Sequence, residues 1–320
     1  MSIEEFIEEW NNDSPFVHVQ TSGSTGAPKP MLVEKQRMLN SARITCDFLG
    51  LQEGDTALLC MSLDYIAGKM MVVRALERRL KLITVPPSGH PLGEPSPCYD
   101  FAAMVPMQVY NSIQEPAERE RLMQIRHLII GGGAIDDGLA AALSTFPHHI
   151  WSTYGMTETL SHIALRRLNG PDASEWYTPF PSVKVSLNAD DCLVIDAPQV
   201  CPERLVTNDI AELSNGRFRI LGRKDNVICS GGIKIQIETV ERQLRPHMSA
   251  PFVISKRADE KFGEIVVLLT EGSPSDARTI CERILAKYHQ PKVYLHVDKI
   301  PLTETGKPAR QQAEHIAKNR

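Results

Sequence analysis

From its start to about Thr153 the chain alternates short apolar runs with longer amphipathic ones, and this alternation restricts the fold more than any other property. Phe16–Thr21, Ala57–Met61, Lys81–Val85, Arg126–Ile130 and His149–Thr153 read as short buried strands. Between them, Arg37–Leu49, Ile66–Leu80 and Asp137–Thr145 place apolar residues at helical spacing. Strands and helices in alternation build a layered α/β sheet. Pro86–Pro97, rich in Pro, Gly and Ser, predicts a surface loop.

The pattern changes near Ile163. Val183–Leu187, Cys192–Ile195, Arg204–Thr207, Glu212–Leu213 and Phe218–Leu221 are strand-like with no helix between them, so 163–222 predicts a small β-rich subdomain. A new α+β unit follows. Its expected strands are Val227–Cys229, Pro251–Ser255 and Glu264–Leu269; its expected helices are Glu238–Leu244, Asp276–Lys287 and the polar tail. The expected domains are therefore 1–222 and 226–320.

Composition narrows the function. The 320 residues are 42% apolar and 23% charged, which suits a buried core and not disorder. A formal charge of -4 without like-charge runs gives no case for nucleic acid or an anionic membrane surface. No stretch approaches the roughly 18 apolar residues of a membrane span. Met1–Trp10 is acidic and polar, unlike a signal or transit peptide. Seven scattered cysteines, none in a C-x-x-C pair, suggest reduced thiols in a cytoplasmic protein.

Five stretches carry chemistry. Thr21-Ser22-Gly23-Ser24-Thr25-Gly26-Ala27-Pro28-Lys29 follows a strand. Gly23 and Gly26 let backbone N–H groups approach an anion, and Ser22, Ser24, Thr25 and Lys29 add hydroxyls and a cation. The spacing is not that of a Walker loop; a flexible linker is the bland alternative. Tyr154-Gly155-Met156-Thr157-Glu158 lies at a strand end, where ligands of α/β sheets gather. Thr157 offers a hydroxyl to a phosphate and Glu158 an oxygen to Mg²⁺; a plain Gly turn would read the same. Leu205-Val206-Thr207-Asn208-Asp209-Ile210 puts an Asp after a strand, as a ribose ligand or a turn. The fourth stretch joins Gly222-Arg223-Lys224-Asp225-Asn226-Val227-Ile228 to Ser230-Gly231-Gly232-Ile233-Lys234-Ile235 and Glu238. The fifth, Pro301-Leu302-Thr303-Glu304-Thr305-Gly306-Lys307, closes with Arg310.

In this order the five stretches resemble the adenylate-forming superfamily of acyl-CoA synthetases, luciferases and peptide-synthetase adenylation domains, over residues 16–311. The resemblance implies that Thr21–Lys29 holds the β- and γ-phosphates of ATP. It implies that Gly131, Gly132, Gly133 and Ala134 flank adenine, and that Tyr154, followed by Gly155, stacks on it. Thr157 would bond the α-phosphate, Glu158 would hold Mg²⁺, and Asp209 and Arg223 would bind the ribose. Lys307 would be the catalytic lysine of adenylation. Residues 223–225, centred on Asp225, would be the hinge of a small mobile C-terminal domain. The implied reaction joins a small carboxylic acid to AMP and then to coenzyme A.

Met61-Ser62-Leu63-Asp64-Tyr65-Ile66-Ala67-Gly68-Lys69 matches the family's acyl-pocket segment, with Tyr65 at the aromatic position before Gly68. Ser230 and Gly231 are further acyl- or CoA-pocket candidates. Met70 and Met71 read as core. Lys69 and Arg74 read first as exposed cations; beside an acyl pocket either would suit a second carboxylate. Taken whole, the chain is most similar to the compact o-succinylbenzoate–CoA ligases of menaquinone synthesis. It departs from the pattern in beginning close to the phosphate loop, without most of the family's first α/β subdomain; a second copy of the chain is the expected cover. Asn208 replaces a commoner Gly, and Pro308 fixes the backbone beside Lys307. Another acyl- or aryl-CoA ligase, a ligase loading a carrier protein, and a non-catalytic nucleotide-binding scaffold are the competing readings.

Overall fold

The computed structural model describes residues 1–20, 30–94, 98–303 and 308–320. They form two compact units: Met1–Ser186 with Val194–Leu205 and Leu213–Arg219, and Leu187–Leu193 with Val206–Glu212 and Ile220–Arg320. Lys184–Leu187, Cys192–Asp196, Leu205–Ser214 and Arg217–Arg223 form a four-stranded sheet in that order.

The first unit is built on a seven-stranded mixed sheet. Lys81–Thr84, Thr56–Leu59, Phe101–Met104, His127–Ile130 and His149–Gly155 run parallel, in that order across the sheet. His162–Arg167 and Thr178–Pro179 complete it as antiparallel strands. Residues after Ile163 thus first extend the large sheet, and the small sheet starts at Lys184. An antiparallel strand after a short turn has the same local pattern in either sheet. The central strands are buried apolar runs, with Leu58, Ala102, Leu128 and Ile150 in one core cluster, as expected of parallel strands covered on both faces.

Phe16–Gln20 is a strand, but not of this sheet: among the described residues it pairs antiparallel only with Pro30–Glu34. Helices Lys35–Leu49 and Ile66–Arg78 pack together, and each stops at a left-handed residue, Gly50 and Arg79. The acidic N-terminal segment is a helix, Ile3–Asn11. Ser2 and Glu5 form a capping box, and the buried Phe6 anchors the helix.

His127 sits edge-on to His149, ring centroids 5.2 Å apart, and its buried Nδ1 has no described partner. Burial first, then the charges of Arg126 and His149, push its pKa down from 6.5 to about 4. The folded chain therefore binds fewer protons than the unfolded one in that window, and stability falls as pH falls through it. With water screening part of this half-buried ring, the expected loss is about 1–2 kcal/mol. Denaturant titrations from pH 6.5 to 4 should show a flatter acid limb for His127→Phe; a limb parallel to the parent would remove His127 as its cause.

In the second unit a five-stranded sheet runs Ile233–Gln236, Val227–Ser230, Gly263–Thr270, Phe252–Asp259, with Val293–His296 parallel to Gly263–Thr270. Alternate residues face opposite sides. Ile254, Val266 and Leu268 join the core under helices Ile237–Leu244 and Pro274–Ile284; Val253, Val267 and Leu269 join the core under Arg310–Asn319. Arg310 ties the last helix down. It donates to both Glu241 carboxylate oxygens at 2.6 Å and to the Ile254 carbonyl at 3.1 Å.

Candidate nucleotide and acyl site

In the first unit the candidate residues gather at the carboxyl ends of the parallel strands. Gly131 follows His127–Ile130, and a Cβ there would lie 2.4 Å from Thr153 Oγ1. Gly132 has φ +77°, and Gly133 and Ala134 continue the turn. Tyr154 and Gly155 end the next strand. A Cβ on Gly155 would meet the Ser161 carbonyl oxygen at 2.2 Å, so the chain must be bare where it doubles back. Between them Thr157–Thr159 makes a single 3-10 turn, whose Thr159 hydroxyl accepts from the Met156 N–H at 3.0 Å. Leu160 closes the turn in left-handed backbone, φ 65°, strain of the kind found at functional turns. The turn leaves Thr157 half-buried and Glu158 exposed. Gly155→Ala is expected to cost about 1–3 kcal/mol and to shift Thr157; an unchanged denaturation midpoint would show that the turn relaxes freely.

Tyr154 is braced by aromatic neighbours that sequence reading did not single out. Phe218 lies edge-on at 5.0 Å and Tyr177 at 5.8 Å, and those two stack on each other at 5.5 Å. Tyr177 is fixed in turn by a 2.8 Å hydrogen bond between its hydroxyl and Ser152.

The acyl-pocket segment leads into helix Ile66–Arg78, with Tyr65 at its N-cap. Gly68 is required by packing, since a Cβ would stand 2.3 Å from the Ser62 carbonyl oxygen. Met70 and Met71 are core, as expected. A concavity of about 480 Å³ lies beside the segment, lined by Met61, Ser62, Leu63, Val85, Met1 and Ile3.

The expectation of exposed cations fails for both Lys69 and Arg74, which are 3% and 2% exposed. Apolar neighbours on the helix conceal that two long cationic side chains run inside it. Lys69 donates to the His18 carbonyl and lies 5.6 Å over the Phe6 ring, so it fastens the N-terminal helix and is no free pocket cation. Burial lowers its pKa, opposed by Glu9 and Asp64. Arg74 donates to Ser161 Oγ at 2.6 Å and Thr45 Oγ1 at 3.5 Å, and its buried Nε has no described partner. No carboxylate among the described residues pairs with it. Burial pushes its pKa down to about 10, which leaves it charged at neutral pH. His162 completes the cluster, with Nε2 3.1 Å from Thr45 Oγ1 and Nδ1 3.2 Å from Ser161 Oγ.

In the second unit Asp209 lies within strand Leu205–Ser214, not in a turn: the expected strands on either side of Asn208-Asp209 are one. Arg223 donates to Asp209 at 3.2 Å and to Asp225 at 2.9 Å. Burial alone would lower the Arg223 pKa; the bond to Asp225 and the charges of both carboxylates more than offset it. Asp225 also accepts from Asn208 at 3.3 Å, and Lys224 pairs with Asp190 at 2.7 Å. Ser230 and Gly231 form a hairpin turn with Gly232, where Gly231 and Gly232 have φ +57° and +83°.

Thr21, Ser22, Gly23, Ser24, Thr25, Gly26, Lys29 and Lys307 lie outside the described residues. The flanks of both segments are paired: Gln20 with Pro30, and Leu302 with Pro308.

A glycine-lined rim, a braced tyrosine and an exposed acid meet at the carboxyl ends of parallel strands, where α/β sheets gather their ligands. The chain belongs to the AMP-binding enzyme family, whose pattern it matches over residues 4–204. It is 28% identical to the 2-succinylbenzoate–CoA ligase of Salmonella typhimurium over 86% of this chain. It spans 63% of that relative's length, and 63% of the Escherichia coli ligase. An acyl-CoA synthetase (AMP-forming)/AMP-acid ligase II-like protein from Dyadobacter fermentans is 31% identical, with TM-score 0.66 over 98% of this chain and 92% of that one. The o-succinylbenzoate CoA synthetase of Bacillus subtilis, in complex with its acyl-adenylate intermediate, shares the fold at 22% identity, TM-score 0.76, over 92% of this chain and 68% of that one. Among the described residues no helix is long and apolar enough to cross a membrane.

Proposed function

We propose that the chain activates o-succinylbenzoate, an aromatic dicarboxylate, with ATP, and passes the acyl group from the adenylate to coenzyme A. The observation that carries the substrate class is Arg74. A buried guanidinium without a carboxylate is costly, and it bonds Ser161 at the end of the turn that presents Thr157 and Glu158. A substrate with a second carboxylate supplies the missing anion. The Salmonella and E. coli ligases, named for such an acid, support this reading.

The chain's residues then act as follows. Tyr154, held edge-on by Phe218, offers its ring to adenine beside Gly132, Gly133 and Ala134. Asp209 accepts from the ribose hydroxyls. The Thr157 hydroxyl donates to the α-phosphate. Mg²⁺ suits the exposed Glu158, which has no ion-pair or hydrogen-bond partner among the described residues, and would offset phosphate charge there. Lys307 offsets the repulsion as the carboxylate oxygen attacks the α-phosphorus and pyrophosphate departs. The thiol of coenzyme A then attacks the acyl carbon, and AMP leaves. Asp225 is the proposed hinge between the two half-reactions.

Pyrophosphate and AMP release with ATP, Mg²⁺, coenzyme A and a panel of acids tests the reading. Selective turnover of o-succinylbenzoate is expected, with at least about a hundredfold loss in Lys307→Ala. Turnover only of monocarboxylates would sink the substrate, and release with a carrier protein alone would change the acceptor. ATP binding without pyrophosphate from any acid would favour a scaffold.

A further inference from the structure

We infer that His162 is a positioning residue for Arg74, held in one neutral tautomer by a closed run of hydrogen bonds, and that it thereby sets the preference for a dicarboxylate. The inference rests on the proposed role of Arg74.

The tautomer follows from counting protons. The Thr45 hydroxyl donates to the Ser41 carbonyl at 3.1 Å, the bond a helical Thr commonly makes. Its oxygen is then an acceptor, so His162 Nε2 carries the proton across their 3.1 Å contact. A neutral imidazole has one donor and one acceptor, which leaves Nδ1 to accept from the Ser161 hydroxyl at 3.2 Å. Ser161 Oγ in turn accepts from Arg74 at 2.6 Å. The run reads Arg74 to Ser161 to His162 to Thr45 to Ser41, each proton used once. In the opposite tautomer both Arg74 and His162 donate to Ser161, and the hydroxyl proton has no acceptor among these groups.

The surroundings hold the ring neutral and in place. His162 is buried, with the Phe180 ring 5.6 Å away. Burial, then the nearby Arg74 charge, pushes its pKa well below the ordinary value. The run uses the Nη2 end of the guanidinium, while Nε stays unpartnered. His162 thus fixes which donors of Arg74 are spent inside the protein and which remain for an anion. Partners one step behind a metal ligand shift affinity about 10–100-fold, and an effect of that order is expected for the partner of a substrate-binding arginine.

Two measurements test this. Nitrogen-15 histidine spectra of the whole chain at neutral pH should show His162 protonated on Nε2 only; an Nδ1-protonated or charged ring would overturn the inference. Steady-state kinetics then compare His162→Leu with His162→Gln, whose amide keeps one acceptor and one donor. Leu should raise KM for o-succinylbenzoate about tenfold or more, with KM for ATP and for benzoate unchanged, and Gln should recover most of the loss. Equal changes for both acids, or a Gln variant as poor as Leu, would reduce His162 to packing. If Leu does not fold, the Gln variant's ratio of the two KM values and the spectra decide. If the parent turns over no acid, the proposed function fails, and the spectra alone decide the hydrogen-bond run.

Discussion

Glu241→Ala is expected to destabilise the second unit by about 3–5 kcal/mol, the cost of stranding a buried charge. Glu241 is 5% exposed, and it accepts both Arg310 bonds together with the Ile254 N–H at 2.9 Å. Losing the carboxylate orphans a guanidinium and a strand amide at once. The helix Arg310–Asn319 should then fray from the sheet, read as faster amide exchange at Ala313 and Ala317, which are buried in the native unit. Denaturant titration measures the free energy. Adding Arg310→Met should recover much of the loss, because an apolar pair of similar volume tolerates the site. A single-variant loss under about 1 kcal/mol would place the pair with ordinary surface bridges.

Arg74→Met is expected to move stability and function in opposite directions. Replacing an unpaired buried cation by a side chain of similar length should leave the ligand-free fold as stable or raise it by about 1–4 kcal/mol. The same change should weaken the dicarboxylate by about 2–4 kcal/mol, roughly 30- to 1000-fold in KM, and spare benzoate. Thermal melts and KM for the two acids read both halves. A destabilised variant would show that Thr45 and Ser161 satisfy the cation by themselves. An unchanged KM ratio would remove Arg74 from substrate recognition.

The parallel sheet was legible because its strands are continuous apolar runs bounded by loops; Thr56–Leu59, His127–Ile130 and His149–Gly155 lie within two residues of their expected ends. Phe101–Met104 escaped because Phe-Ala-Ala-Met holds no β-branched residue. Ile3–Asn11 escaped because one buried Phe among acids reads as a polar tail. The glycines of the site were legible as motif members, though the reason for Gly155, a carbonyl 2.2 Å from its absent Cβ, belongs to the fold. Tyr177 and Phe218 could not be found, since their partnership with Tyr154 depends on distant strands meeting. Lys69 and Arg74 were misread for a related reason: periodicity tells which face of a helix is apolar, not whether the opposite face is covered as well.

Arg223 divides one guanidinium between Asp209 and Asp225. The two carboxylates therefore draw on a common supply of donors, and neither can change its partners without a response from the other. Under the proposed function, a ribose on Asp209 would redirect the Arg223 fork, and Asp225 would feel that change two residues before the next strand, Val227–Ser230. If the proposed ribose contact at Asp209 shifts the Asp225 side of the fork, thermodynamic reciprocity requires a change at Asp225 to shift nucleotide affinity by the same factor. In the proposed cycle the sugar, which takes no part in bond making, would thus report which half-reaction the protein is in.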